Sequence, residues 1–127
     1  MTPIEQQFED LKTLHAEATA TPQVSGAYLI EIPEYRLPRG WNQEIVRILF
    51  LAPPGYPAAR PDCFWVEPVG LRLQNGTTPQ GTNDSSPIPG IGPRGTWFSW
   101  HLQHWDPNSD TLIRYLNSIE ERLNRIQ

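Results

Sequence analysis

The chain lacks the features that tie a protein to a membrane or to an oxidising compartment. It has one cysteine, so no internal disulfide can form. Its longest apolar stretch, residues 45–52, is interrupted by Arg47 and is far shorter than the roughly 20 residues that span a bilayer. The first residues have neither the basic start nor the apolar run of a signal peptide. The sequence therefore predicts a cytoplasmic protein without a membrane partner.

Positive charge is also scarce. Ten Lys and Arg residues stand against 14 Asp and Glu residues, which gives a net charge of -4 at pH 7. Proteins that bind phosphate-rich surfaces need a basic excess, because much of their affinity comes from displaced counterions. Nucleic acid and anionic membranes are therefore not the expected partners.

What the chain does contain fits one globular domain over residues 1–127. Hydrophobic residues make up 38% and charged residues 19% of the chain, which is enough for a core and too little charge for a disordered protein. The 14 prolines and 9 glycines argue against an all-helical bundle. Irregular segments are therefore expected between the regular elements.

Local patterns predict an α+β domain with a helix at each end. Thr2 and Pro3 begin an amphipathic helix that is expected to end before Pro22. The second helix opens within 106–110, which offers capping Asp and Ser residues, and continues with apolar residues at helical spacing. Between the helices we predict three or four antiparallel strands, including 26–32, 43–51 and 62–66, and a long loop, 74–95.

Two motifs in the right order carry a family resemblance. A strand runs into Tyr56-Pro57, a short spacer and Pro61 before the next strand. Further along, Trp105-Asp106-Pro107 precedes a helix that contains Leu-Asn-Ser-Ile. This arrangement resembles the ubiquitin-conjugating enzyme superfamily, and most of all its bacterial branch called prokaryotic family E. The resemblance implies that five residues form structural turns: Tyr56, Pro57, Pro61, Trp105 and Pro107.

The chain departs from that superfamily at the catalytic position. A conjugating enzyme carries its cargo on a cysteine that follows a His-Pro-Asn tripeptide, and neither feature is present. Alignment on Gly95 and Trp105 puts Phe98 or Ser99 at the nucleophile's place. A serine needs an adjacent base, and His101 is two residues away, so contact between them is an open question. The sequence therefore predicts a variant without catalytic residues, with Ser99 and His101 as an alternative.

Cys63 is the only thiol and is the other alternative nucleophile. It lies in the third predicted strand, and lone cysteines are usually buried as small hydrophobic residues. The adjacent Asp62 carboxylate would raise the thiol pKa, which disfavours the reactive thiolate. We therefore expect Cys63 to be a core residue.

The segment 96–105 contains three of the five tryptophans. Strand alternation turns Trp97 and Ser99 to one face and Phe98 and Trp100 to the other, so at least one aromatic side chain should reach the surface. His101, His104 and Asp106 could suggest a metal, but zinc needs three or four ligands and the His-x-x-His pair alone supplies two, with no CxxC pair beside it. We therefore predict neither a metal nor a cofactor. The predicted partner-binding residues are Trp97, Trp100, His101, His104, Tyr56 and Pro54.

The resemblance implies a function in protein modification. Family E members are typically encoded beside ubiquitin-like proteins, activating enzymes and JAB-type peptidases. We therefore expect a non-catalytic variant that binds a ubiquitin-like protein or its activating enzyme in a bacterial conjugation pathway used in antiphage defence. Two alternatives remain: an active conjugating enzyme with a relocated nucleophile, Cys63 or Ser99, and a recognition domain of the RWD type, which shares the Tyr-Pro turn.

Overall fold

The computed structural model describes residues 1–127. Along the chain, six strands lie between two helices of twelve residues each. The elements are α1 (Pro3–Leu14), β1 (Thr19–Pro22), β2 (Tyr28–Arg36), β3 (Ile45–Ala52), β4 (Phe64–Glu67), β5 (Thr82–Asn83), β6 (Thr96–Phe98) and α2 (Leu112–Leu123). Neither helix has the length and apolar character needed to cross a membrane.

Helix α1 begins where the sequence predicts and ends earlier. The Thr2 hydroxyl accepts a hydrogen bond of 3.3 Å from the backbone N–H of Glu5, and Pro3 occupies the first helical position. The helix stops at Leu14, so the predicted extension toward Pro22 is wrong. The physical reason is that residues 19–22 pair with β2 as an edge strand.

All strand pairs are antiparallel and form one sheet in the order β1-β2-β3-β4-β6-β5. The predicted α+β class, with a helix at each end, is confirmed. The three predicted strands correspond to β2, β3 and β4, and the sheet also contains three short strands, β1 and β5 at its edges and β6 between β4 and β5. Strand β5 has only two residues and lies inside the predicted loop, where no periodic pattern can reveal it.

The two faces of the sheet are covered differently. Both helices pack on one face, where a core of 20 buried residues includes Phe50, Phe64 and Tyr115. The opposite face carries a smaller cluster of Leu29, Leu49, Trp65 and Ile88. Ile88 comes from the loop 74–95 and is fully buried. Part of that loop is therefore packed onto the sheet.

A buried threonine fixes this loop to the sheet. Thr96 is 0% exposed, and its hydroxyl accepts hydrogen bonds from the backbone N–H groups of Gly70 (3.0 Å) and Leu71 (3.1 Å). The same hydroxyl donates to Asp84 at 2.8 Å. Asp84 also pairs with Arg72, and this guanidinium lowers the pKa of the Asp84 carboxyl.

Helix α2 is capped one residue beyond the predicted region. The Thr111 hydroxyl accepts from the backbone N–H of Arg114 at 3.2 Å. Residues 106–110 form the preceding turn, in which the backbone N–H of Asp106 donates to the Asp110 carboxylate at 2.7 Å. Pro107 is exposed in that turn. The expected cap within 106–110 is therefore wrong, because these side chains close the turn instead.

Candidate functional site

The segment that joins β3 to β4 is held against the rest of the molecule by aromatic contacts. The ring centroids of Tyr56 and Trp105 lie 5.9 Å apart, and the Trp105 indole N–H donates to the carbonyl of Pro57 at 2.8 Å. The Tyr56 hydroxyl donates to the side-chain oxygen of Gln7 on α1. Burial raises the pKa of Tyr56, so the hydroxyl remains a donor. Tyr56, Pro57 and Trp105, which were predicted to form structural turns, thus contact one another. Pro61, which follows in the same segment, is buried.

Tyr115 on α2 joins the chain before β4 to the chain after β6. The backbone N–H of Cys63 donates to the carbonyl of Trp100 at 2.9 Å. From the helix side, the Tyr115 hydroxyl lies 2.9 Å from the carbonyl oxygen of Cys63 and 3.4 Å from that of Trp100. Burial raises the pKa of Tyr115 far above its ordinary value, which keeps this hydroxyl a donor. Residues 62–63 and 99–101 are therefore fixed side by side.

This juxtaposition brings a hydroxyl, an imidazole and a carboxylate into one line of contacts. Ser99 Oγ lies 3.3 Å from Nε2 of His101, and Nδ1 of His101 contacts the carboxylate of Asp62. The backbone N–H of Ser99 donates to the carbonyl of Gly81 at 2.8 Å, which orients the serine. The order of groups is that of a nucleophile, its general base and the acid that orients the base. The question that the sequence left open is thereby answered, because Ser99 and His101 do touch.

All three groups are accessible to a macromolecular substrate. The side chains of His101 and Asp62 are 57% and 58% exposed, and Ser99 is exposed as well. A protein or peptide could therefore reach the serine hydroxyl without any opening of the fold.

The environment of Cys63 differs from the one that the sequence predicts. Cys63 precedes β4 rather than lying in it, it is only partly buried, and its backbone has a φ of 61°. The prediction that it lies in the strand is therefore wrong, and it packs only partly buried against the smaller hydrophobic cluster. Loss of hydration is the largest effect and raises the thiol pKa. The Asp62 charge acts in the same direction, and hydrogen bonds from the Trp100 backbone and the Trp97 side chain act against it. The thiol is thus disfavoured as a nucleophile.

A mainly apolar cleft of about 480 Å³ opens on the sheet face opposite the helices. Asp62 and Cys63 line it, which makes it continuous with the hydroxyl–imidazole–carboxylate group. Its apolar walls come from the chain after β3, from β4 and β6, and from the loop 74–95, and they include Pro53, Pro54, Trp65, Pro87 and Trp97. The cleft therefore offers an apolar contact surface beside Asp62 and Cys63.

The comparison with known families decides where the chain belongs. The model of prokaryotic E2 family E matches residues 4–126. The chain is a member of prokaryotic E2 family E. No curated protein and no solved structure matches it. The predicted resemblance is thereby confirmed, and the UBC-like character of the fold agrees with it.

Family membership indicates a role in a bacterial ubiquitin-like conjugation pathway. It also indicates interaction with ubiquitin-like proteins or activating enzymes in general. The match favours the conjugating-enzyme branch over an RWD-type domain.

In this family E protein the predicted partner-binding residues lie in separate places. Trp97 and Pro54 line the cleft, and strand alternation turns Trp97 away from the main core as expected. Trp100 packs against that core, and its indole N–H donates to the hydroxyl of Ser118 on α2 at 3.2 Å. His104 is exposed and makes no side-chain hydrogen bond among residues 1–127.

His101 does not group with His104 and Asp106, the pair that its sequence neighbourhood suggests and for which no metal site is predicted. The family E protein instead brings Asp62, Cys63 and His101 together, and these are the residues of its chain that form a group of three metal-ligating types. No local pattern in the sequence indicates this group or the contact of Asp62 with His101. The two residues are 39 positions apart, and only the pairing of β4 with β6 brings them together.

Proposed function

We propose that this protein carries the C-terminus of a ubiquitin-like protein as an ester on Ser99, within a bacterial conjugation pathway. The observation that carries the proposal is the 3.3 Å contact between Ser99 Oγ and Nε2 of His101. Ser99 is also one of the two residues that alignment puts at the family's nucleophile position. A use of this pathway in antiphage defence belongs to the proposal and rests on the resemblance to family E.

The chemistry is an acyl transfer. Ser99 Oγ attacks the activated C-terminal carbonyl carbon, which reaches it as a thioester on the activating enzyme. Nε2 of His101 takes the hydroxyl proton as the new C–O bond forms, and Asp62 stabilises the resulting imidazolium. The C–S bond then breaks, and the departing thiolate receives that proton from His101. One ester replaces one thioester, without any oxidant or reductant.

Cys63 is the less suitable nucleophile of the two alternatives. Its pKa is raised by burial and by Asp62, so little thiolate is present near neutral pH. Ser99, in contrast, is exposed and contacts a base directly.

A non-catalytic binding role is the second candidate. The apolar cleft favours it, because Trp97 and the prolines of its walls offer contact area for a partner. In that role the protein holds the ubiquitin-like protein or the activating enzyme without a covalent bond. Trp97→Ala is then expected to weaken the complex by on the order of 2 kcal/mol.

The test is adduct formation with the cognate activating enzyme, ATP and the ubiquitin-like protein, followed by intact mass measurement. We expect a product heavier by the mass of the ubiquitin-like protein less one water. Ser99→Ala should abolish it, whereas Cys63→Ala and the exposed-serine control Ser109→Ala should retain it. Co-elution of the partners without any adduct would favour the binding role instead. An adduct lost only in Cys63→Ala would identify the thiol as the nucleophile.

A further inference from the structure

Three side chains of different chemistry meet beside the cleft. One carboxylate oxygen of Asp62, the sulfur of Cys63 and one ring nitrogen of His101 all lie within 4.8 Å of one another. Asp62 and His101 are exposed and Cys63 is partly buried, so a small ion can reach all three from solvent. From this geometry we infer that Asp62, Cys63 and His101 form a binding site for a thiophilic divalent cation such as Zn²⁺.

The backbone keeps this group together. The Cys63 N–H bonds to the Trp100 carbonyl at 2.9 Å, and the Cys63 carbonyl accepts from the Tyr115 hydroxyl at 2.9 Å. The positive φ of Cys63, 61°, belongs to a conformation that is uncommon for a non-glycine residue. The adjacent residues Asp62 and Cys63 thus each place a ligand atom beside the ring of His101.

The donor set selects the class of ion. Zinc binds thiolate at about 2.3 Å, and imidazole and carboxylate at about 2.0–2.2 Å, usually in a tetrahedron. Ligand atoms around one such ion therefore lie about 3–4 Å apart, so small rotations of the exposed Asp62 and His101 side chains complete the site. A thiolate disfavours Mg²⁺ and Ca²⁺, which require oxygen ligands. Three protein ligands leave a fourth position open to solvent.

The site shares Asp62 and His101 with the proposed acyl transfer but does not include Ser99. Ser99 supplies no ligand, so metal binding and ester formation can be tested separately even though both use His101. Ser99→Ala should abolish the ester and retain the metal. Loss of one property without the other then shows which proposal has failed.

The test is titration of the purified full chain with Zn²⁺ by calorimetry, and with Co²⁺ by absorption. We expect one ion per chain and a cobalt–thiolate charge-transfer band in the near ultraviolet. Cys63→Ser should remove that band and weaken Zn²⁺ binding by at least about tenfold, and Asp62→Asn and His101→Gln should weaken it similarly. The control His104→Gln should bind as the wild type does.

A second measurement uses the wild-type chain alone. Cys63 is its only thiol, so Zn²⁺ at one equivalent should slow the reaction of the protein with a disulfide reagent. Absence of stoichiometric binding, or Zn²⁺ binding that Cys63→Ser leaves unchanged, would overturn the site. Unchanged thiol reactivity in the presence of Zn²⁺ would do the same.

Discussion

The hydroxyl of Tyr115 donates a hydrogen bond of 2.9 Å to the carbonyl of Cys63. This contact crosses from the core face of α2 to the chain before β4, and the same hydroxyl lies 3.4 Å from the carbonyl of Trp100. Tyr115 is fully buried. One side chain of the core therefore positions both segments that carry the proposed catalytic groups.

Tyr115→Phe is expected to lower stability and to slow ester formation. The substitution keeps the ring and removes the donor, which costs about 1 kcal/mol of unfolding free energy. Without this bond the segments 62–63 and 99–101 are held together less firmly. His101 should therefore be less well positioned between Asp62 and Ser99. Urea denaturation measures the first effect and the rate of adduct formation the second.

Tyr35→Phe is the matched control for this variant. The Tyr35 hydroxyl also lies near α2, where burial and the neighbouring Glu120 carboxylate raise the pKa of Tyr35 to about 12. The control should lose stability and retain the rate of adduct formation. Equal rates for the two variants would contradict the positioning role of Tyr115.

Thr96→Val is expected to destabilise the fold by about 2–3 kcal/mol. The isosteric substitution leaves the buried N–H of Leu71 and the partly buried N–H of Gly70 without their acceptor, and an unpaired buried donor costs about 1–3 kcal/mol. Thr96→Ser keeps the hydroxyl and should lose less than half as much. Thermal or urea unfolding of the three proteins gives the comparison, and a Ser variant as unstable as the Val variant would refute this role of the hydroxyl.

Acid should weaken the attachment of the loop 74–95 through Asp84. The Arg72 guanidinium lowers the pKa of Asp84 in the folded protein. The ionised carboxylate therefore stabilises the fold above the unfolded-state pKa of about 4, and this contribution is lost as pH falls through the lower folded-state value. Because both partners are partly exposed, we expect about 1 kcal/mol.

The comparison of wild type with Asp84→Asn measures that contribution. Their difference in unfolding free energy should be largest above about pH 5 and should shrink below about pH 4. A difference that is constant from pH 7 down to pH 3 would show that the Asp84 charge contributes nothing.

Substitution of the base and its partner should slow ester formation without unfolding the protein. His101→Gln removes the proton acceptor, and general base catalysis typically contributes about 100-fold or more. Asp62→Asn leaves the imidazole in place and should slow the reaction by about tenfold or more. The rate of adduct formation is measured against His15→Gln, a histidine at the end of α1. A rate unchanged in His101→Gln would contradict the role of the imidazole.

Local signals predict the parts of the fold that local chemistry determines. Thr2 and Pro3 begin α1 as capping rules require, and alternation along β6 correctly separates Trp97 from Phe98. The end of α1 and the start of α2 depend on contacts with other parts of the chain, which the helix propensity of the local sequence does not include. Residues 19–22 extend because β2 offers them a partner.

The candidate site could be predicted only in part for the same reason. Ser99 and His101 lie two residues apart, so their pairing was a local hypothesis. Asp62 joins them through the register of β4 with β6, in which Phe64 faces Phe98. Cys63 has a positive φ, which takes it out of the expected strand. Positive φ is usually indicated in a sequence by glycine, and a cysteine gives no such indication.

The most direct test of the central claim is the chemistry of the bond on residue 99. The wild-type adduct should resist dithiothreitol and be cleaved by alkaline hydroxylamine, as an ester is, and fragment ions should locate it on Ser99. Ser99→Cys should form an adduct at the same residue that dithiothreitol releases, as a thioester. A wild-type adduct that dithiothreitol cleaves, or one that persists in Ser99→Ala, would contradict the account.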